Sequence, residues 1–209
     1  MQLEEKHFKA LNEAEALIFH SDFCPYLELK ELLGDESQRA RDRFRILFTK
    51  YYALNTGGLT RQFKERFFDV LFSNQVVVKG QPAFKSILSG LSRFKRRTGD
   101  QAIPYSFVSK LVSMHRETSP ICDIHVLNFF REKRPATSGT RTQRIKWFIG
   151  FLAVVARSYQ AWATDKRIKA ILKRLKARDP RLARCHDVRL LDFLVWKVGN
   201  QKLLVKTNS

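Results

Sequence analysis

Apolar residues recur at three- and four-residue spacing along most of the chain, the period of an amphipathic helix. Phe8, Leu11, Ala14 and Ile18 follow this track, with Leu17 alongside. Between Glu36 and Asn55 it runs through Phe44, Leu47, Phe48, Tyr51 and Tyr52, and Asn55-Thr56-Gly57-Gly58 reads as the stop. Thr60 to Phe72 repeats the pattern through Phe63, Phe67, Val70 and Leu71. Val76-Val77-Val78 is the one β-branched run, and a single short run cannot make a sheet. Pro82 suits the first turn of a helix running through Phe84, Ile87, Leu88 and Leu91 to Arg97.

The second half continues in the same way. Pro104 opens a helix from Tyr105 to Arg116, and Asp123 caps one that ends near Arg131. Pro135-Ala136-Thr137-Ser138-Gly139 has linker composition. A long helix is expected from Thr140 to Ala163, a strongly basic one from Asp165 to Arg178, and a closing one from Asp187 to Val198, with Asp179-Pro180 as a break. The pattern therefore predicts an all-α fold: a single globular domain of eight or nine helices, with Gly139 as a hinge if there are two lobes. Residues 1–35 form an acidic helical segment and residues 36–209 the body, with the linker near 135–139.

Composition narrows the function. With 44% hydrophobic residues and only nine Gly and six Pro in 209, the chain has enough apolar mass for a core and is not disordered. Cys24, Cys122 and Cys185 are too few and too scattered for a disulfide framework or a zinc pattern, which points to a reducing compartment. The opening MQLEEKHFKALNEAEAL is acidic and polar, unlike a signal peptide. The longest apolar run, Trp147 to Ala156, is too short to span a bilayer. A soluble cytoplasmic protein is expected, nucleoid-associated if bacterial.

Charge changes the picture most. Lys and Arg number 39 against 20 Asp and Glu, a formal charge of +19. Residues 1–40 hold nine acidic and four basic residues, whereas 131–209 hold 20 basic and five acidic ones. Such an excess suggests a polyanionic partner, with double-stranded DNA first and an anionic membrane surface as the rival. Candidate phosphate contacts fall in three segments: Arg93, Lys95, Arg96 and Arg97; Arg131, Lys133 and Arg134; and Arg141, Arg144 and Lys146. The basic helix from Lys166 to Arg178 is a fourth such surface.

One constellation carries chemistry. Ile103-Pro104-Tyr105-Ser106-Phe107-Val108-Ser109-Lys110 is followed by Pro120-Ile121-Cys122-Asp123-Ile124-His125-Val126. A Lys in the first turns of one helix is thus followed, thirteen residues on, by an Asp at the cap of the next. Read alone, Asp123 is most simply a helix cap and Lys110 a solvated side chain. His115, Cys122 and His125 lack a fourth ligand, so no metal is expected. No cofactor is implied.

These two stretches resemble the helix-hairpin-helix base-excision DNA glycosylases, in particular the bifunctional 8-oxoguanine type. That family carries Leu-Pro-Gly-Val-Gly-x-Lys, then a helix, then a helix capped by Val-Asp-x-His. The resemblance implies that Lys110 attacks the sugar C1′ and that Asp123 stabilises the positive charge and assists proton transfer, with Ser106 and His125 as further site contacts. Tyr105-Ser106-Phe107 stand where the family has Gly-Val-Gly, so a phosphate there would rest on the helix N-terminus and the Ser106 hydroxyl. The stretch Val188 to Trp196 is also similar to a C-terminal helix of uncharacterised proteins sharing Ser-Lys-Leu and Pro-Ile-x-Asp. Three readings follow: a DNA glycosylase with AP-lyase chemistry, a catalytically silent basic nucleic-acid-binding module, and an interaction protein whose acidic N-terminal segment folds back on the basic body.

Overall fold

The computed structural model describes residues 2–55, 58–73, 76–78, 81–99, 103–134 and 139–206. In chain order the helices are α1 (Glu5–Leu17), α2 (His20–Leu33), α3 (Gln38–Tyr51) and α4 (Arg61–Leu71). A two-residue antiparallel pair follows, β1 (Val77–Val78) and β2 (Gln81–Pro82). Then come α5 (Phe84–Leu91), α6 (Tyr105–His115), α7 (Ile124–Phe129), α8 (Arg141–Trp162) and α9 (Lys166–Arg178). A 3-10 turn at Pro180–Arg184 leads to α10 (Asp187–Gln201) and α11 (Leu203–Lys206). The fold is all-α, with eleven α-helices among the described residues. None of them is long and apolar enough to cross a membrane.

Helix starts follow the cap residues. Ser37 accepts from the Ala40 amide at 3.2 Å and Thr60 from Phe63 at 3.3 Å. Thr140 and Gln143 close a reciprocal capping box at the head of α8. Each such cap satisfies orphan amides and contributes about 1 kcal/mol.

The chain divides into two units. One joins the residues up to His20 with those from Glu117 onward; the other is Ser21–Arg116. The division falls after His20, the first residue of α2, whereas charge alone marks residue 35. The Pro135–Gly139 stretch falls inside the first unit's span, and its residues 135–138 lie outside the described residues. Charge sign tracks the surface, whereas units are set by which apolar faces pack together.

The unit Ser21–Arg116 has an aromatic core. Phe48 meets Phe67 at 5.4 Å and Phe44 at 5.6 Å, and Phe67 meets Phe68 edge-on at 5.4 Å. Arg41 and Arg45 of α3 lie over the Phe72 ring, which covers the core's edge with cations. Two expectations change here. Helix α3 stops at Tyr51, with Ala53 in left-handed backbone (φ 52°) and Leu54 donating back to the Thr49 carbonyl at 3.0 Å. The stop is thus a Schellman turn set before the glycine pair. Pro82 pairs with Val77 in the short ribbon and does not enter α5, which ends at Leu91 and not at Arg97.

In the other unit α10 packs against α7, α1, α8, α9 and α11. Its buried row includes Val188, Leu191, Leu194, Val195 and Val198. The closest approach is at Gly199, where any Cβ would overlap the His125 backbone of α7. His7 of α1, Phe129 and Phe130 of the α7 end, and Trp162 of α8 form a second aromatic cluster, with Phe130 and Trp162 stacked 5.9 Å apart. Helix α1 is held to α9 by charge. Glu15, only 6% exposed, takes Arg174 at 2.9 Å and Arg178, and Glu5 takes Arg167 at 2.9 Å.

Gly199→Ala should therefore destabilise the protein by about 1–3 kcal/mol or more, because helix backbone must move to admit one methyl group. Urea unfolding with an unchanged slope and a lower midpoint is the expected result. A variant as stable as the parent would contradict the crossing described.

Candidate functional site

Lys110 sits on α6 in the unit Ser21–Arg116. Tyr105, Ser106 and Phe107, which stand at the family's hairpin glycines, already form the first turn of α6. Pro104 precedes them, where its missing amide costs nothing. The Ser106 carbonyl accepts from the Ser109 hydroxyl at 3.0 Å. The half-buried Lys110 ammonium lies 5.2 Å from the Tyr52 ring centroid and 5.7 Å from that of Phe107. A ring quadrupole attracts a cation held at this distance.

Asp123 belongs to the other unit and is 7% exposed. Its Oδ1 accepts the His125 amide at 3.0 Å and the Val126 amide at 3.2 Å, capping α7. His125 is half-buried, its ring edge-on to Trp196 at 5.4 Å, and its backbone is the wall that Gly199 meets. These contacts make His125 a packing residue between α7 and α10. His115 meets the Leu71 carbonyl at 2.7 Å, and burial holds its pKa below the ordinary histidine value. No group of three or more His, Cys, Asp or Glu side chains among the described residues is placed to hold a metal ion.

The sequence reading missed a buried polar cluster beside Asp123. Arg189 (1% exposed) donates to Asp192 Oδ2 at 2.5 Å and to the Ser119 carbonyl at 3.0 Å. Asp192 Oδ2 also accepts the Ile121 amide at 2.9 Å, and the buried Tyr159 hydroxyl faces the same carboxylate. Burial, reinforced by the neighbouring Asp123 charge and opposed by Arg189, pushes Asp192 up to about 6. Burial and Asp192 together push Tyr159 well above the usual tyrosine value. The signal was present as an Arg and an Asp three residues apart within the apolar run Val188 to Trp196. Chemically the cluster fastens the segment 119–123 onto α10.

The basic segments separate into two kinds. On α9, Arg167 is paired with Asp165 and Glu5, Arg174 with Glu15, Lys176 with Asp187 and Arg178 with Glu15. Much of that helix's charge is thus committed within the unit. By contrast Arg131, Lys133 and Arg134 are exposed just beyond α7, and Arg141 and Lys146 are exposed on the first turns of α8, with Arg144 half-buried. In the other unit Arg93, Lys95, Arg96 and Arg97 are exposed, though not at a helix end as the sequence suggested. They lie in a turn where Leu59 bridges Arg96 and the Arg97 amide donates to the Gly58 carbonyl at 2.8 Å. Phe129 is buried against His7 and Trp162, and the Tyr51 hydroxyl donates to the Asp22 carbonyl at 2.8 Å.

Asp192 gives the site a pH signature. Its folded value, about 6, lies above its unfolded value near 3.8, so the folded state binds more protons between the two. Its contribution to stability is fully present below about 3.8 and is lost as pH rises through about 6, on the order of 3 kcal/mol. The parent should therefore gain stability relative to Asp192→Asn as pH falls from 7 to 4. A pH-independent difference in urea midpoints would contradict the buried setting of this carboxylate.

No family model, no curated protein and no solved structure matches this chain.

Proposed function

We propose that the protein is a nucleic-acid-binding module, with double-stranded DNA as its first partner, and that it holds the phosphate backbone without acting on it. The observation that carries this reading is the surplus of exposed cations on the α7 end and the α8 head, Arg131, Lys133, Arg134, Arg141 and Lys146, while the arginines of α9 are taken up by α1. Exposed guanidinium and ammonium groups release counterions from a phosphate backbone, which supplies sequence-independent affinity. The turn carrying Arg93, Lys95, Arg96 and Arg97 offers a second such patch in the other unit. Such a module works in the cytoplasm, on the nucleoid if its source is bacterial.

Lys110 bears on the choice between binding and catalysis. A Schiff-base nucleophile needs a neutral amine, which burial or neighbouring cations provide. Around Lys110 two aromatic faces lie within 6 Å of the side-chain nitrogen, a setting that holds a cation. Asp123 already accepts two backbone amides, the work of a cap. These settings support the silent module over the glycosylase with lyase chemistry implied by the resemblance.

The protein should bind random duplex DNA and lose about 10³- to 10⁵-fold in affinity between roughly 50 and 200 mM salt if six to ten phosphates are contacted. Borohydride trapping on duplexes carrying 8-oxoguanine, uracil or an abasic site should give no covalent adduct. An adduct that disappears in Lys110→Ala would replace this reading with the Schiff-base enzyme. Absence of salt-sensitive DNA binding would remove nucleic acid as the partner and leave an acidic protein in its place.

A further inference from the structure

Two helices of the first unit end in the same unusual way. Arg131 follows α7 and Lys202 follows α10, and both hold left-handed backbone, with φ of 53° and 54°. At Arg131 the turn is a Schellman motif: the Glu132 amide donates to Leu127 at 2.9 Å and the Arg131 amide to Asn128 at 3.1 Å. Glycine is the usual occupant of such positions because it alone escapes the Cβ clash. Here two long cations take its place. Strained non-glycine residues of this kind concentrate at ligand sites, where the side chain's role offsets the backbone strain.

Both side chains border one cavity of about 440 Å³, within the size range of small-molecule sites. Lys133 is a third cation on its lining, against one acid, Glu132. The rest of the lining, Asn128, Phe129, Val198, Gly199 and Leu204, is mostly apolar. A cationic rim over an apolar wall fits a ligand with an anionic head and a flat, weakly polar body.

We propose that this cavity binds a nucleoside phosphate, its phosphate held by Arg131, Lys133 and Lys202 and its base lying against Val198 and Leu204. The choice of a nucleoside as the body rests on the nucleic-acid reading above; the paired anionic and apolar demands come from the cavity itself. The nucleotide reaches the site either as a free mononucleotide or as an unpaired residue of a strand.

The test is titration of the full chain, followed by amide shifts of Asn128 and Gly199, with AMP, adenosine, inorganic phosphate and a 5′-phosphorylated trinucleotide. AMP is expected to bind, and adenosine and phosphate separately to bind at least about tenfold more weakly, since each lacks one half of the match. Tighter binding of the trinucleotide than of AMP assigns the site to a strand; the reverse assigns it to a free nucleotide. Lys202→Gly and Arg131→Gly should raise the melting temperature by relieving the backbone, yet weaken AMP about tenfold. A purely structural role for these cations would move stability alone. Duplex binding measured on the same samples separates the two readings. No shift with AMP or trinucleotide while duplex still binds overturns the cavity proposal and leaves the wider one standing. Loss of both overturns both. Glycine variants that bind AMP as the parent does also overturn the cavity proposal.

Discussion

A chain with a formal charge of +19 folds only if its cations are kept apart or paired, and Glu15 is where this is settled in the first unit. Helix α9 places seven basic residues between Lys166 and Arg178, spaced so that like charges meet at three and four residues. One nearly buried carboxylate from α1 takes two of its arginines, and Glu5 takes a third. A buried carboxylate is costly unless both oxygens are matched, and here each oxygen meets a guanidinium. Arg178 adds hydrogen bonds to the Glu15 and Ile18 carbonyls at 2.8 and 2.9 Å, which closes the C-terminus of α1. The seating of α1 on α9 and α10, and the enclosure of His7 in the aromatic cluster, both depend on this clamp.

The clamp also sorts the cations. Those on α9 facing α1 are structural, whereas those at the α7 end and the α8 head remain at exposed positions. The Arg189–Asp192 pair obeys the same logic in the interior. It secures the segment leading into Asp123, which in turn caps α7 and fixes where Arg131 and Lys133 emerge. Interior electrostatics thereby set the position of the exterior basic patch.

The helical period disclosed most of the second half of the chain. Thr140 and Asp165 announced their helix starts to within a residue, because cap chemistry is local. Helix α2 is hidden within one acidic segment of the sequence, since Pro25 stands inside it and its buried residues Phe23, Tyr26, Leu27 and Leu29 follow no clear helical period. The α3 stop was misplaced because Ala53 adopts a conformation that sequence assigns to glycine. The site was less legible than the fold. Asp123 was found as a cap, but its neighbour Asp192 lies some seventy residues on. Which arginines of α9 are paired depends on α1 at the far end of the chain, a pairing that no local pattern encodes.

The division of cations between the α1–α9 clamp and the exposed α7 end and α8 head is tested most directly by the salt dependence of duplex DNA binding. The slope of log affinity against log salt should fall by about 0.9 for each phosphate that a variant leaves without its cation. Lys133→Gln with Arg134→Gln should flatten it, while Arg167→Gln with Lys176→Gln on α9, checked for folding by circular dichroism, should leave it unchanged. Equal flattening in both variants, or flattening only in the α9 pair, would contradict the account.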